Sequence, residues 1–272
     1  MSASPAVWFS IIAALVAHGA NALAQDAQSQ HCGHFETMAS PHGIYVNNLW
    51  NAHAVGDRPW QQCVESHRIG DETRYGWSWS WPADSEVVVS YPQVRVGVSP
   101  WDPKERFNNR FPAALDTLQA LKVAYTLDIQ AEGDFNVATS MWLADTDVFD
   151  SEPKPTAIVA EVMVWTSYKG HHMRPAGRLV DHLEHAGARW EIWVDRDWKD
   201  MSGMHDNRWV YLAFRRTQPT LAAIFDAAVL LNHAIENELL PKGTFVADVE
   251  LGTEISNGRG RLRVESFSVD VR

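Results

Sequence analysis

Two glutamates occur in this sequence in settings where a carboxylate requires a functional reason. Glu161 lies inside the apolar run Ile158–Trp165 (I-V-A-E-V-M-V-W), and Glu254 follows a glycine and a threonine in L-G-T-E. A carboxylate buried in such a run without a partner is energetically costly. Two carboxylates that face each other across an aromatic cleft are what glycoside hydrolysis needs. One attacks the anomeric carbon or activates water, and the other, with a raised pKa, protonates the departing oxygen.

The elements that position these residues are predicted to be β-strands. Side chains of a strand alternate between its two faces, so Glu161, Met163 and Trp165 share one face of Ile158–Trp165. A second alternating run, Phe135–Leu143, presents on one face Asn136, Ala138, Ser140 and Trp142. Further short strands are predicted at Gly43–Trp50, Arg74–Trp81, Glu86–Tyr91, Gln93–Val98, Leu121–Gln130, Arg189–Val194, Trp209–Arg215, Thr244–Leu251 and Gly260–Val271. Many short strands separated by turn residues favour an all-β sandwich or jelly roll.

One segment departs from this pattern. From Pro219 to Leu240 the apolar residues recur at helical spacing, which predicts a single amphipathic helix packed on one sheet. Thr220 is a suitable N-cap, and Pro241 with Gly243 would end the helix.

The tryptophan content is high, with 13 in 272 residues. Aromatic rings that stay partly wet often mark a surface that binds flat partners such as sugars. Trp77, Trp79 and Trp81 alternate with serines in one predicted strand, and this pattern fits either the core or a sugar contact.

Net charge and the N-terminal segment restrict the partners and the compartment. The formal net charge is −11, and no basic patch offsets it, which argues against nucleic acid as a partner. The apolar run Val7–Val16 and the cleavage pattern Ala22-Leu23-Ala24 predict a signal peptide over residues 1–24. We therefore expect a secreted protein, extracellular or periplasmic, with one domain over residues 25–272 and no membrane partner after cleavage.

Export gives the two cysteines a possible role. Cys32 and Cys63 are the only pair, and an oxidising compartment permits them to bond. Such a bridge would tie the mature N-terminus to the next strand region. Two separate buried thiols remain the alternative.

The sequence favours neither a metal nor a cofactor. Histidines at positions 171, 172, 182 and 185 lack a convincing ligand frame. Asp145, Asp147 and Asp150 lack the glycine-punctuated loop of a calcium site. Both groups are interpreted as solvated loop residues.

Several motifs together resemble those of glycoside hydrolase family 12, the β-1,4-glucanase and xyloglucanase family. E-V-M-V-W (Glu161–Trp165) is similar to its nucleophile motif E-x-M-x-W, and L-G-T-E (Leu251–Glu254) is similar to its acid/base motif G-T-E. Other segments match in the same order: N-N-L-W (Asn47–Trp50), Q-Q-C (Gln61–Cys63), the W-S-W strand, N-V-A (Asn136–Ala138) and R-P-A-G (Arg174–Gly177), the last resembling the segment that crosses the cleft. The predicted helix and the early cysteine pair also lie where the family has its helix and its disulfide.

The resemblance implies a β-jelly roll of two stacked antiparallel sheets with a concave, glucan-binding cleft and one packed α-helix. It implies hydrolysis of internal β-1,4 bonds with retention, with Glu161 as nucleophile and Glu254 as acid/base, roughly 5–5.5 Å apart. The implied substrate-binding residues are Asn48, Trp50, Asn136, Ser140, Trp142, Met163 and Trp165. The partner is a polysaccharide, and a monomer is the default.

One position departs from the family pattern. The family motif N-V-A-Y-D reads N-V-A-T-S here, so Ser140 stands where an aspartate would hydrogen-bond the nucleophile. Loss of a like charge should favour the ionised form of Glu161 and shift the acid limb of the pH profile. Cellulose, xyloglucan and mixed-linkage glucan all remain open as substrates. The alternatives are an endo-xylanase and a non-catalytic carbohydrate-binding jelly roll.

Overall fold

The computed structural model describes residues 29–170, 174–201 and 205–272. In chain order its strands are β1 (Ser29–His31), β2 (Thr37–Ser40), β3 (Gly43–Val46), β4 (Gln61–Ile69), β5 (Glu72–Trp81), β6 (Gln93–Val98), β7 (Arg106–Phe107), β8 (Ala113–Ala114), β9 (Leu121–Glu132), β10 (Phe135–Ala144), β11 (Ile158–Lys169), β12 (Arg178–His185), β13 (Ala188–Lys199), β14 (Arg208–Arg216), β15 (Ala222–Asp226), β16 (Phe245–Val246), β17 (Asp248–Gly252) and β18 (Gly258–Val271). The helix is α1 (Ala227–Glu236). The predicted signal peptide lies outside the described residues.

The strands form two sheets, which confirms the predicted all-β jelly roll. The back sheet has the strand order β1-β4-β5-β18-β9-β15. The cleft sheet has the order β12-β13-β14-β11-β10-β17-β6-β3-β2, with the short β7, β8 and β16 attached to it. The pairing is antiparallel except between β11 and β14, which run parallel. That one pair differs from the purely antiparallel sheets expected from the sequence.

The hydrophobic core fills the space between the sheets. On β11 the alternate residues Val162 and Val164 are fully buried in this core, so the face that carries Glu161 points the other way. Trp77, Trp79 and Trp81 alternate on β5 as predicted and also belong to this core, with at most 4% of their surface exposed. These rings therefore belong to the core and do not contact sugar, because β5 lies in the back sheet.

The helix is shorter than the sequence predicts. Residues 222–226 form β15, paired with β9, and α1 begins only at Ala227. Asp226 rather than Thr220 caps it, by accepting a hydrogen bond from the Ala228 amide at 3.1 Å. The apolar spacing also fits a strand here, with Phe225 buried and Ile224 76% exposed. Pairing with β9 therefore prevails over helical periodicity.

Two further sequence predictions have clear outcomes. Cys32 and Cys63 form a disulfide, with their Cα atoms 4.1 Å apart, beside the β1–β4 pairing. The strand predicted at Glu86–Tyr91 is wrong, because only Ser90 makes a bridge there, to Ile255. Among the described residues, no helix has the length and apolar character needed to span a membrane.

Candidate active site

The sheet register brings the predicted site residues onto one face. Glu161 on β11 lies opposite Trp142 on β10, and Met163 lies opposite Ser140. Directly paired residues of neighbouring strands point to the same side of a sheet. They line one open cleft.

Glu161 lies half-buried on the floor of this cleft. The indole nitrogen Nε1 of Trp209 donates a hydrogen bond to its Oε2 at 3.2 Å. Burial, followed by the negative charge of Glu254, raises the pKa of Glu161 to about 8, and the Trp209 bond opposes this rise. Removal from water and a nearby like charge both disfavour the ionised form.

Glu254 is held at the cleft by a reciprocal pair of contacts with Asn136. The Asn136 side-chain amide donates to the Glu254 carboxylate, and the Glu254 backbone amide donates to Asn136 Oδ1 at 2.9 Å. Burial raises the pKa of Glu254 to about 7, with the Asn136 bond acting in the opposite direction. Gly252 passes so close to the ring of Tyr91 that a Cβ at this position would lie 2.6 Å from it, which explains the glycine before Glu254.

The two carboxyl groups behave as a linked pair. The negative charge of Glu254 is the second cause, after burial, of the raised pKa of Glu161. The pKa of Glu161, about 8, lies above that of Glu254, about 7. A nucleophile and a general acid need the opposite order, so a bound substrate would have to reverse it.

Most predicted substrate-binding residues line the cleft. They are Asn48, Trp50, Ser140, Trp142 and Met163. Asn48 is fixed at both ends of its amide: Nδ2 donates to Gln93 at 3.3 Å, and Oδ1 accepts from the Trp50 backbone amide at 3.2 Å.

Two predicted substrate-binding residues lie behind the cleft surface. Asn136 is fully buried and contacts Glu254. Trp165 is 3% exposed and packs in an apolar cluster with Met163 and Tyr211, donating its indole N–H to Met163 Sδ at 3.5 Å. Trp165 therefore packs beneath the floor that Met163 forms, rather than on the cleft surface.

An aromatic cluster beside Glu161 was not predicted from the sequence. The rings of Trp101, Trp142 and Trp209 contact one another edge to face, with centroids 5.4–6.0 Å apart. Tyr211 lies next to Glu161 across the parallel β11–β14 pair. The alternation W-V-Y-L-A places Trp209 and Tyr211 on one face of β14. Nothing in the local sequence indicates that β14 pairs in parallel with β11.

A second group of charges on the cleft floor was not predicted from the sequence. Glu250 on β17 is 4% exposed and lies opposite Ser140 on β10 and Arg95 on β6. Burial raises the pKa of Glu250 to about 7, whereas Arg95 lowers it. Burial and the charge of Glu250 raise the pKa of Asp248 well above its usual range. Glu161, Glu250 and Glu254 are hereafter the three cleft glutamates.

The histidines do not assemble a metal site within the described part of the chain. No group of three or more His, Cys, Asp or Glu side chains there could hold an ion. His171 and His172 lie outside the described residues. Arg174, in the segment expected to cross the cleft, lies 5.6 Å from the Trp193 ring centroid.

Comparison with known proteins decides the family. A model of glycosyl hydrolase family 12 matches residues 43–272. The chain belongs to glycosyl hydrolase family 12. As a member, it is a glycoside hydrolase.

Individual relatives are distant but cover nearly the whole chain. An endoglucanase S from Pectobacterium parmentieri is 23% identical over 98% of this chain and 94% of its own length. A xyloglucan-specific endo-beta-1,4-glucanase A from Emericella nidulans is 24% identical over 96% of this chain and 99% of its own length. A family 12 xyloglucanase from Bacillus licheniformis shares the fold, with a TM-score of 0.77 at 23% identity, over 90% of this chain and 100% of that one.

Proposed function

We propose that this protein is a retaining endo-hydrolase of β-1,4-glucans, with Glu161 as nucleophile and Glu254 as general acid/base. The observation that carries the proposal is the pair of carboxyl groups with raised pKa values on the floor of one open, aromatic-lined cleft. An open cleft accommodates the interior of a chain, which favours cleavage of internal bonds. The names of the relatives as an endoglucanase and a xyloglucan-specific endo-beta-1,4-glucanase agree with a glucan substrate.

In the proposed first step, Glu161 attacks the anomeric carbon while Glu254 gives its proton to the departing oxygen. The carbon–oxygen glycosidic bond breaks, and an ester forms between the sugar and Glu161. Glu254, now ionised, takes a proton from water, which cleaves that ester and regenerates both carboxyl groups. Asn136 is positioned to hold Glu254, and Trp209 to stabilise the ionised Glu161.

Substrate binding can supply the pKa order that the reaction needs, with Glu254 above Glu161. A sugar hydroxyl that donates to Glu161 would lower the pKa of that carboxyl. Displacement of water from Glu254 by the glycosidic oxygen would raise the pKa of the Glu254 carboxyl group. Hydrogen bonding and desolvation act in these directions on a carboxyl group.

The test combines activity, stereochemistry and labelling. Wild type should release reducing ends from carboxymethylcellulose, β-glucan or xyloglucan, and proton NMR of the first products should show the β-anomer. Glu161→Gln should abolish release while still binding the polysaccharide, and a 2-deoxy-2-fluoro glycoside should label Glu161 in the wild type. Binding without release of ends in the wild type would support the non-catalytic alternative, and faster release from xylan would support the endo-xylanase.

The proposal extends to processing and assembly. We infer that residues 1–24 are removed on export and that residues 25–272 act as a monomeric catalytic domain on the extracellular or periplasmic polysaccharide. Mass spectrometry of the secreted protein should find an N-terminus near Gln25. Light scattering should give the mass of one chain, and a larger mass would exclude the monomer.

A further inference from the structure

The cleft floor carries a carboxyl group beside the position where the family motif leads one to expect an aspartate. Ser140 on β10 replaces that aspartate, and its cross-strand neighbour on β17 is Glu250. Paired residues on one face have Cβ atoms about 4.5–5.5 Å apart. Glu250 therefore lies one strand further from Glu161 than the missing aspartate would lie, on the same face of the sheet.

Polar side chains surround the carboxyl group of Glu250. Arg95, Asp248, Trp142 and Gln93 face it and lower its pKa, which burial raises. Its backbone oxygen accepts a hydrogen bond from the Tyr91 hydroxyl at 2.9 Å. A buried carboxyl with this many partners has a defined position and a defined electrostatic effect on its surroundings.

The charges around Glu250 determine how strongly it affects the ionisation of Glu161. Arg95 faces it from β6 and Asp248 from its own strand, while Glu161, Tyr91 and Glu254 surround the same cleft floor. Arg95 offsets one negative charge, while burial and the charge of Glu250 both raise the pKa of Asp248. The ionised form of Glu250 in turn disfavours ionisation of Glu161.

The side chain at position 140 gives a second, independent observation. Ser140 is 2% exposed, and its hydroxyl oxygen has no hydrogen-bond partner among the described residues. The serine therefore does not take over the bond to Glu161 that an aspartate would make.

We propose that Glu250 is a positioning residue for the reaction, which supplies from β17 the carboxyl group that β10 lacks and thereby controls the ionisation of Glu161. The inference rests on the proposed function, with Glu161 as nucleophile. Repulsion between Glu250 and ionised Glu161 is relieved when Glu161 becomes a neutral ester in the glycosyl-enzyme. Glu250 therefore favours attack by Glu161 and holds the acid limb of activity at higher pH.

The main experiment moves the carboxyl group between the two strands. Glu250→Gln removes the charge and keeps the shape, so the acid limb of kcat on soluble β-glucan, which reports the substrate complex, should move to lower pH. The double variant Ser140→Asp/Glu250→Gln returns a carboxyl group to β10, and its limb should move back toward that of the wild type. Glu132→Gln, which removes an exposed charge from β9 of the back sheet, serves as the matched control and should leave the limb unchanged.

A third variant covers the case in which Glu250→Gln does not fold. Ser140→Asp alone keeps the Arg95 partner and adds a second carboxyl beside Glu250, so the limb should move to higher pH. Two results would overturn the proposal: an even loss of activity at every pH in Glu250→Gln, or an unmoved limb in Ser140→Asp. Full activity of Glu161→Gln would instead refute the proposed function itself, which keeps the two failures distinguishable.

Discussion

Replacing Trp209 by phenylalanine tests whether the indole N–H stabilises the ionised nucleophile. The variant keeps an aromatic ring against Trp101 and Trp142 and removes the donor that lies 3.2 Å from Glu161 Oε2. A hydrogen bond to a charged group contributes about 1.5–3 kcal/mol. The distance is longer than that of a strong charge-assisted bond, so the lower end, about 1.5 kcal/mol, applies. This corresponds to a rise of about one unit in the pKa of Glu161.

The assay is the pH dependence of kcat on a soluble β-glucan, because kcat reports the pKa values of the substrate complex. Because attack requires ionised Glu161, the acid limb should move upward by about one pH unit, with about a tenfold loss below it. The loss should be much smaller on the plateau. Trp198→Phe changes another cleft tryptophan, which packs on Tyr211 and makes no bond to Glu161, so it should scale the whole profile without moving the limb. An acid limb at the same pH in Trp209→Phe and in the wild type would refute the reasoning.

Three further predictions concern the second carboxyl, the pH dependence of stability and the disulfide. Asn136→Ala removes a donor that lowers the pKa of Glu254, so the basic limb of kcat, which reports the substrate complex, should move to higher pH; an unmoved limb would show that Asn136 does not set the pKa of the acid/base. The three cleft glutamates have folded pKa values of about 7–8, above those of an unfolded chain. Folding therefore binds protons, and the melting temperature without substrate should fall as the pH rises from about 5 to 8, whereas a flat or rising curve would contradict burial of these groups. Replacing Cys32 and Cys63 by serine opens a loop with a separation of 31 residues and should cost about 3–4 kcal/mol of unfolding free energy, measured by denaturant titration against the disulfide-bonded parent.

The features that the sequence predicts well are those with a local cause. Alternation alone places Glu161 and Met163 on one face of β11, and Ser140 with Trp142 on one face of β10. A strand repeats every two residues, so the face of a residue follows from its near neighbours once the strand is recognised. The disulfide is likewise confirmed, because two cysteines permit only one intramolecular pairing.

The features that the sequence predicts poorly depend on which elements meet. Trp209 joins Glu161 because β14 runs parallel to β11, and parallel pairs are joined by crossovers that leave no local signal. Ile224 and Phe225 fit the spacing of a helix and of a strand equally well, and only pairing with β9 separates the two. Trp165 has the correct face for the cleft but is covered by neighbours from other strands.

Glu250 shows how a local rule and a family motif can lead to different conclusions. An acid inside a buried strand was sufficient reason to single out Glu161, and the same rule applies to Asp248-Val249-Glu250-Leu251, where two acids alternate with apolar residues. The motif around Ser140 indicates only a lost aspartate, because a motif covers one strand. The electrostatic environment of a nucleophile is instead produced by several neighbouring strands, whose residues lie far apart along the chain. A missing charge in a β-sheet site should therefore be sought first at the cross-strand neighbours of the altered position, which here leads to Glu250.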